Sequence, residues 1–335
     1  MEIVLYHDNK IINKSKELAR VFVKYYSSSV QEKLKNHFGN STCNCTTVPT
    51  NNSSFYFYPV TITEIKDVVN TIQNKPSTGI EEVPISLIKE CLEEFAMCFL
   101  LLINKSMELG QFPSRLKTAL IVLVFKKRKA KDIKNYKPIS LLSIFSKVIE
   151  KIVANRIIAF LQKFCFISDF QHEDNYSTET AAVELVQSVN ESLDKNKHVF
   201  GIFFDLTSAF DTIDISFLEI KLEKLGIREK VLEWIISWME NRQIRVKINE
   251  VISEEKTISV GTPQGSVLGP LIFILYVNEL ENFVSYGKAI MYADDRSIIV
   301  EGKSIQELEH RVNHTLHEFN DWGFKNKLII NYNKT

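Results

Sequence analysis

Residues 199–205 read Val-Phe-Gly-Ile-Phe-Phe-Asp, and residues 289–300 read Ala-Ile-Met-Tyr-Ala-Asp-Asp-Arg-Ser-Ile-Ile-Val. Both are short apolar runs rich in aromatic and β-branched side chains, the signature of buried strands. The first ends on Asp205. The second carries Asp294 and Asp295 where a hairpin would turn. Working outward, residues 217–239 read as one or two helices with a break at Gly226. Residues 244–249 and 257–260 form a hairpin, residues 266–280 and 305–322 are helices, and residues 328–331 are a last short strand. The order strand, helix, hairpin, helix, hairpin, helix, strand predicts an α+β domain with its sheet backed by helices.

Upstream, residues 11–36 have the spacing of an amphipathic helix, with Leu18, Val21, Phe22 and Tyr25 on one face. Residues 40–54 are rich in Asn, Ser and Thr and nearly chargeless, which predicts a linker. Cys43 and Cys45 sit in it and read as free thiols, because a zinc site needs two further ligands. Thr61 and Glu64 have capping-box spacing for a helix to about residue 73. Helices follow over 85–110, stopped by Gly110, then a strand over 119–125 and a helix over 140–163.

The chain has 335 residues, 45% hydrophobic and 24% charged, which excludes a wholly disordered or fibrous protein. Lys+Arg and Asp+Glu both number 41, so any basic surface must be local. The five cysteines are irregularly spaced and predict no disulfide framework. The start lacks the pattern of a signal peptide, and the apolar run 95–103 is too short to cross a bilayer. The expected location is intracellular, nucleus or cytoplasm, with no membrane and no secretion.

Asp205, Asp294 and Asp295 would stand at the ends of adjacent strands. Taken singly, each reads as a cap or turn acid. Together they form a hard-oxygen set suited to two Mg²⁺ ions, which can clamp both oxygens of an in-line phosphoryl transfer. Between them lies Gly261-Thr-Pro-Gln-Gly-Ser-Val-Leu-Gly-Pro270, which matches neither dinucleotide-binding nor P-loop spacing. From Arg115 to Lys137, nine cationic residues face only Asp132, a net +8 over 23 residues. That run is either a solvated loop or a surface for phosphates.

The ordered set Asn135-Tyr-Lys-Pro-Ile-Ser-Leu-Leu142, Phe204-Asp-Leu-Thr-Ser-Ala-Phe-Asp211, the Gly261–Pro270 motif, Tyr292-Ala-Asp-Asp295 and Asn333-Lys-Thr335 resembles the reverse transcriptase of non-LTR (LINE-like) retrotransposons, from about residue 60 onward. The resemblance implies a right-hand polymerase with fingers and palm, the palm a ferredoxin-like antiparallel sheet backed by helices, with the thumb missing. It implies residues 1–58 as a helix and linker that follow an endonuclease, 59–197 as fingers and N-terminal extension, and 198–335 as palm. Asp205, Asp294 and Asp295 would be the catalytic, Mg²⁺-holding acids. Phe210 would exclude a ribose 2′-OH, and Gln264 and Gly265 would line the nascent base pair. Lys127 and Lys137 would hold the incoming triphosphate, and Lys334 would serve the leaving pyrophosphate. The partners would be an RNA template, a DNA primer and dNTPs. Lys75 to Glu82 resembles a template-side element, with Glu81 or Glu82 replacing its Asp.

The sequence also departs from that family. Lys137 stands where Arg is usual and loses the bidentate fork. Residues 171–178 have lost a Gly and an Arg and gained two acids. Ile215 replaces a common His. Arg296 follows the paired aspartates, either competing with a metal or pointing away. The alternative reading is a catalytically inactive nucleic-acid-binding remnant. An RNA-copying RNA polymerase is disfavoured by Phe210. His310, His314 and His317 lie opposite an apolar helix face and read as solvated. Trp234, Trp238, Trp322, Cys91 and Cys98 read as core.

Overall fold

The structure is a computed structural model that describes residues 3–7, 10–39, 50–126, 131–164, 166, 178–292 and 295–335. In chain order the elements are β1 (Leu5–His7), β2 (Lys10–Ile12), α1 (Ser15–Phe38), α2 (Ile62–Thr71), α3 (Ile85–Glu90), α4 (Leu92–Leu109), β3 (Thr118–Phe125), β4 (Tyr136–Leu141), α5 (Ile144–Lys163), α6 (Thr178–Asp194), β5 (His198–Phe204), α7 (Ile215–Lys224), α8 (Glu229–Met239), β6 (Arg242–Ile248), β7 (Val251–Ile252), β8 (Lys256–Ile258), α9 (Leu268–Val277), α10 (Leu280–Phe283), β9 (Lys288–Tyr292), β10 (Asp295–Gly302) and α11 (Ile305–Lys325). The α+β class follows directly from these elements. Packing divides them into two units, each discontinuous in sequence: Met1–Lys33 with Ser54–Arg156 and Ile227–Gly269, and Leu34–Ser53 with Ile157–Gly226 and Pro270–Thr335.

The first unit is built on a sheet of order β4-β3-β6-β7, with β8 also paired to β6. The hairpin at 242–258 therefore does not join the aspartate strands. Instead, β6 runs parallel to β3, with Thr118 opposite Gln243 and Ile121 opposite Val246. Its alternation is strict: Arg242, Ile244, Val246 and Ile248 are buried and the residues between them are not. Leu18, Phe22 and Val23 of α1 pack on Ala119, Ile121, Tyr136, Ile244 and Val246. The Tyr26 hydroxyl donates to the Tyr136 carbonyl at 3.0 Å. The first turns of α1 thus belong to the core of this unit. Thr61 caps α2 through the Glu64 N–H as its spacing predicts. Glu64 also receives both arms of the buried Arg156 guanidinium, at 2.8 and 2.6 Å, and Arg156 stacks 3.7 Å over Tyr58.

The second unit holds the antiparallel sheet β5-β10-β9. Ile202, Phe204, Ile298 and Val300 share one buried face. Phe204 stacks on Phe319 of α11 at 3.5 Å. On the other face Ser192 of α6 donates to Glu301 at 2.7 Å. At the C-terminus of α7, Gly226 has φ +92°, and a Cβ there would lie 2.3 Å from the Ser53 carbonyl oxygen. Replacing Gly226 by Ala is therefore expected to destabilise the protein by about 3 kcal/mol, through left-handed strain and a backbone clash. Chemical denaturation reads this directly, and an unchanged midpoint would refute it.

Several expectations are corrected. The stretch 140–163 is not one helix: Tyr136–Leu141 is a strand and the helix starts at Ile144. Pro138 cannot donate to a ladder, and β4 accommodates it at the sheet edge. Residues 328–331 form only the isolated bridge Leu206–Ile330. Helix α6 was not expected. Cys98 is exposed, because α4 buries the stripe Leu92, Ala96, Phe99, Ile103 and Met107 instead. Cys43 and Cys45 and residues 171–177 lie outside the described residues, and so do Lys127 and Asp294.

Candidate functional site

In the second unit the site grows from the end of β5. Phe204 pairs with Arg296 across the ladder, so the backbones of Asp205 and Asp295 follow side by side at the same sheet end. Asp295 is described by its backbone and Asp294 lies outside the described residues. The Asp205 carbonyl accepts from the Asn331 N–H at 2.9 Å. Its Oδ2 accepts from Asn331 Nδ2 at 2.6 Å and faces Lys334 Nζ at 3.2 Å. The Asp205 side chain keeps 26% exposure. The chain from 328 to 334 therefore wraps Asp205 on both backbone and side chain. Thr207 adds a bond to the Ile329 carbonyl at 2.8 Å.

After Asp205 the chain turns through Ser208 at φ +54° into a single helical turn at 209–211. That turn sets Phe210 against Phe273, ring centroids 4.8 Å apart. Arg296 lies on the same sheet face as Phe204, 2% exposed, with its guanidinium 5.0 Å from the Phe273 ring. Strand alternation thus takes Arg296 into the core, on the face that carries Phe204. Among the described residues no three His, Cys, Asp or Glu side chains cluster as a metal site.

In the first unit β4 and the Gly-rich loop meet. Ser140 N–H donates to the Gln264 carbonyl at 3.2 Å. Gly265, at φ +101°, approaches so closely that a Cβ would lie 2.8 Å from the Ser140 carbonyl oxygen. Lys137 is exposed on β4, opposite Val124 of β3. Of the basic run, Arg115, Lys126, Lys131, Lys134 and Lys137 are exposed. Lys117 leaves that surface: it is buried, donates to the Glu240 carbonyl at 3.2 Å, and burial lowers its pKa. Glu81 accepts from the Ile144 N–H at 2.8 Å and so caps α5.

Two partners of these residues were missed in the sequence. Asn331 holds Asp205, and nothing in its surroundings marks it. Glu150 is fully buried and accepts from Ser146 Oγ at 2.6 Å and from the N–H groups of Val267 and Leu268 at 2.8 and 3.2 Å. Its signal was an acid flanked by Val148, Ile149, Ile152 and Val153. The histidines behave as expected of a solvated face: His314 pairs with Glu318 at 3.2 Å and His317 with Asp321 at 3.6 Å. Trp234, Trp238 and Trp322 are core.

Residues 125–335 match the family model described as reverse transcriptase (RNA-dependent DNA polymerase). The chain belongs to that family, as its motifs led one to expect. It is similar to the RNA-directed DNA polymerase from mobile element jockey of Drosophila funebris, 28% identical over 290 residues, covering 82% of this chain and 31% of that protein. It is also similar to two Drosophila melanogaster proteins. One is the probable RNA-directed DNA polymerase from transposon X-element, 25% identical over 281 residues, 81% of this chain and 31% of that protein. The other is the probable RNA-directed DNA polymerase from transposon BS, 26% identical over 287 residues, 83% of this chain and 32% of that protein. The chain thus spans about a third of the length of these relatives. No helix among the described residues is long and apolar enough to cross a membrane.

Proposed function

We propose that this chain carries the polymerase of a non-LTR retrotransposon, adding dNTPs to a DNA primer 3′-OH on an RNA template. The observation that carries the reading is the register of β5 against β10, which sets Asp205 beside Asp295 in a chain of this family. Residues 59–197 act as fingers and N-terminal extension, and 198–335 as palm. The donors suit Mg²⁺: Asp205 is a hard-oxygen carboxylate that keeps part of its surface open at the sheet end. Asp205, Asp294 and Asp295 would hold two ions, which supply charge neutralisation at the attacking and leaving oxygens. Phe210, propped by Phe273, closes the sugar side of the nucleotide site. Gln264 and Gly265 line the nascent base pair, Lys137 and Lys127 bind the triphosphate, and Lys334 neutralises the departing pyrophosphate.

The test is extension of a DNA primer on an RNA template with Mg²⁺. Extension with dNTPs in clear preference to rNTPs supports the reading. Replacing Phe210 by Val is expected to raise rNTP use relative to dNTP by at least about tenfold, since the clash with the 2′-OH is removed. An unchanged ratio would remove Phe210 from that role. A second reading, nucleic-acid binding without synthesis, is favoured by the ammonium of Lys334 on the Asp205 carboxylate, where a metal would bind. It predicts RNA binding that weakens with salt and no extension.

A further inference from the structure

We propose that Glu150 is a positioning residue for the nucleotide side of the polymerase site. It stands on α5, eight residues past the Asn135–Leu142 motif, and no part of its side chain reaches solvent. One carboxylate oxygen accepts from Ser146 one turn earlier, and the other from the Val267 and Leu268 N–H groups at the start of α9. Those two amides directly follow Gln264-Gly265-Ser266.

The loop is therefore held from two sides. On one side, β4 takes the Gln264 carbonyl through the Ser140 N–H and is met by the bare backbone of Gly265. On the other, Glu150 grips the helix start. Between the two grips the loop closes on itself, with the Ser266 N–H and hydroxyl donating to the Pro263 carbonyl at 3.1 and 2.8 Å and Ser266 Oγ accepting from Gly269 N–H at 3.1 Å. A buried carboxylate is a costly way to hold a fold together, because an apolar side chain of similar size fills the same space without desolvating a charge. A carboxylate does what an apolar group cannot: it fixes two backbone N–H groups at once. It thereby sets where Gln264 and Gly265 stand relative to β4 and Lys137. Loss of Glu150 lets the loop shift, and because Gln264 and Gly265 are assigned to the base pair and not to the reacting atoms, the shift should be read first in nucleotide binding.

The inference rests on the polymerase reading, and the test separates the two. The full chain is compared with Glu150→Leu, Glu150→Gln, Ser146→Ala and Asp205→Asn. Two quantities are measured: binding of a fluorescent dATP analogue to the complex with RNA template and a dideoxy-terminated DNA primer, and KM and kcat for dNTP in primer extension. Glu150→Leu is expected to weaken analogue binding and raise KM by at least about tenfold, with kcat within about threefold and template–primer affinity unchanged. Glu150→Gln, whose amide oxygen still accepts from the two N–H groups, should recover half or more of that loss. Ser146→Ala should cost about threefold. Unchanged nucleotide affinity in folded Glu150→Leu overturns the proposal. If that variant does not fold, unchanged affinity in both Glu150→Gln and Ser146→Ala does so. Failure of the polymerase reading looks different: the unaltered chain binds no analogue, or extension survives Asp205→Asn, and either result overturns both.

Discussion

Asp205→Asn is expected to lower Mg²⁺-dependent DNA synthesis by about a thousandfold, equivalent to roughly 4 kcal/mol of transition-state stabilisation. Asn matches Asp in size, so packing beneath the turn at 208–211 is preserved. The Asn331 N–H still meets the carbonyl of residue 205, since that bond is made by the backbone. What is lost is the negative charge that would hold a cation, and with it the pairing with Lys334. RNA affinity should stay within about twofold, because phosphate contacts come from cations elsewhere. Single-turnover extension measures the first effect and filter binding the second. Synthesis within tenfold of the unaltered chain would remove Asp205 from the catalytic set.

Lys221→Met is expected to destabilise the protein by about 3–5 kcal/mol, the usual cost of stripping one partner from a buried ion pair. Lys221 is fully buried on α7. Its ammonium donates to Glu279 at 2.9 Å and also to the Tyr276 carbonyl and the Asn326 side chain. It lies 4.7 Å from the Tyr276 ring centroid. Met fills a similar volume, but it leaves the Glu279 carboxylate, 4% exposed, without its cation. Adding Glu279→Gln should therefore restore part of the loss, and equilibrium unfolding in urea distinguishes the two variants. A loss below 1 kcal/mol in Lys221→Met would show that the charge is not confined. The effect should reach the site as well. Asn326 ends α11, Lys327 pairs with Asp214 at 2.7 Å, and the next residues deliver Asn331 to Asp205.

Local signals were legible where one element carries them. The Thr61–Glu64 cap, the stop at Gly110, the break at Gly226 and the hairpin of β9 and β10 all stand where the pattern put them. The family, and with it the order of the motifs, could be read from five short stretches. What the pattern does not carry is partnership across the chain. Strict alternation in 242–248 marks a strand, but nothing in it names β3 as the neighbour. Helix α6 escaped because its apolar residues do not all face inward: Val183, Val186 and Leu193 remain exposed. Strand β4 was hidden by Pro138, tolerated only because the strand lies at an edge. Lys117 counted toward a basic surface in sequence, yet the strand it leads into carries it inward. Arg296 reads in sequence only as a cation beside two acids, and the register with Phe204 shows that it is buried.

The parallel pairing of β3 with β6 joins residues 125 positions apart, Thr118 with Gln243. During synthesis β3 leaves the ribosome long before its neighbour exists. At ordinary elongation rates the wait is about 6–25 s. Through that interval Ala119, Leu120 and Ile121 present an apolar strand with one edge unpaired, the arrangement that recruits other chains. Cutting the chain at 197/198 makes the wait permanent: the upstream piece keeps a β3 paired only to β4, and the downstream piece keeps a β6 paired only to β7 and β8. Both pieces should aggregate, and the nascent chain should depend on holding factors until β6 arrives.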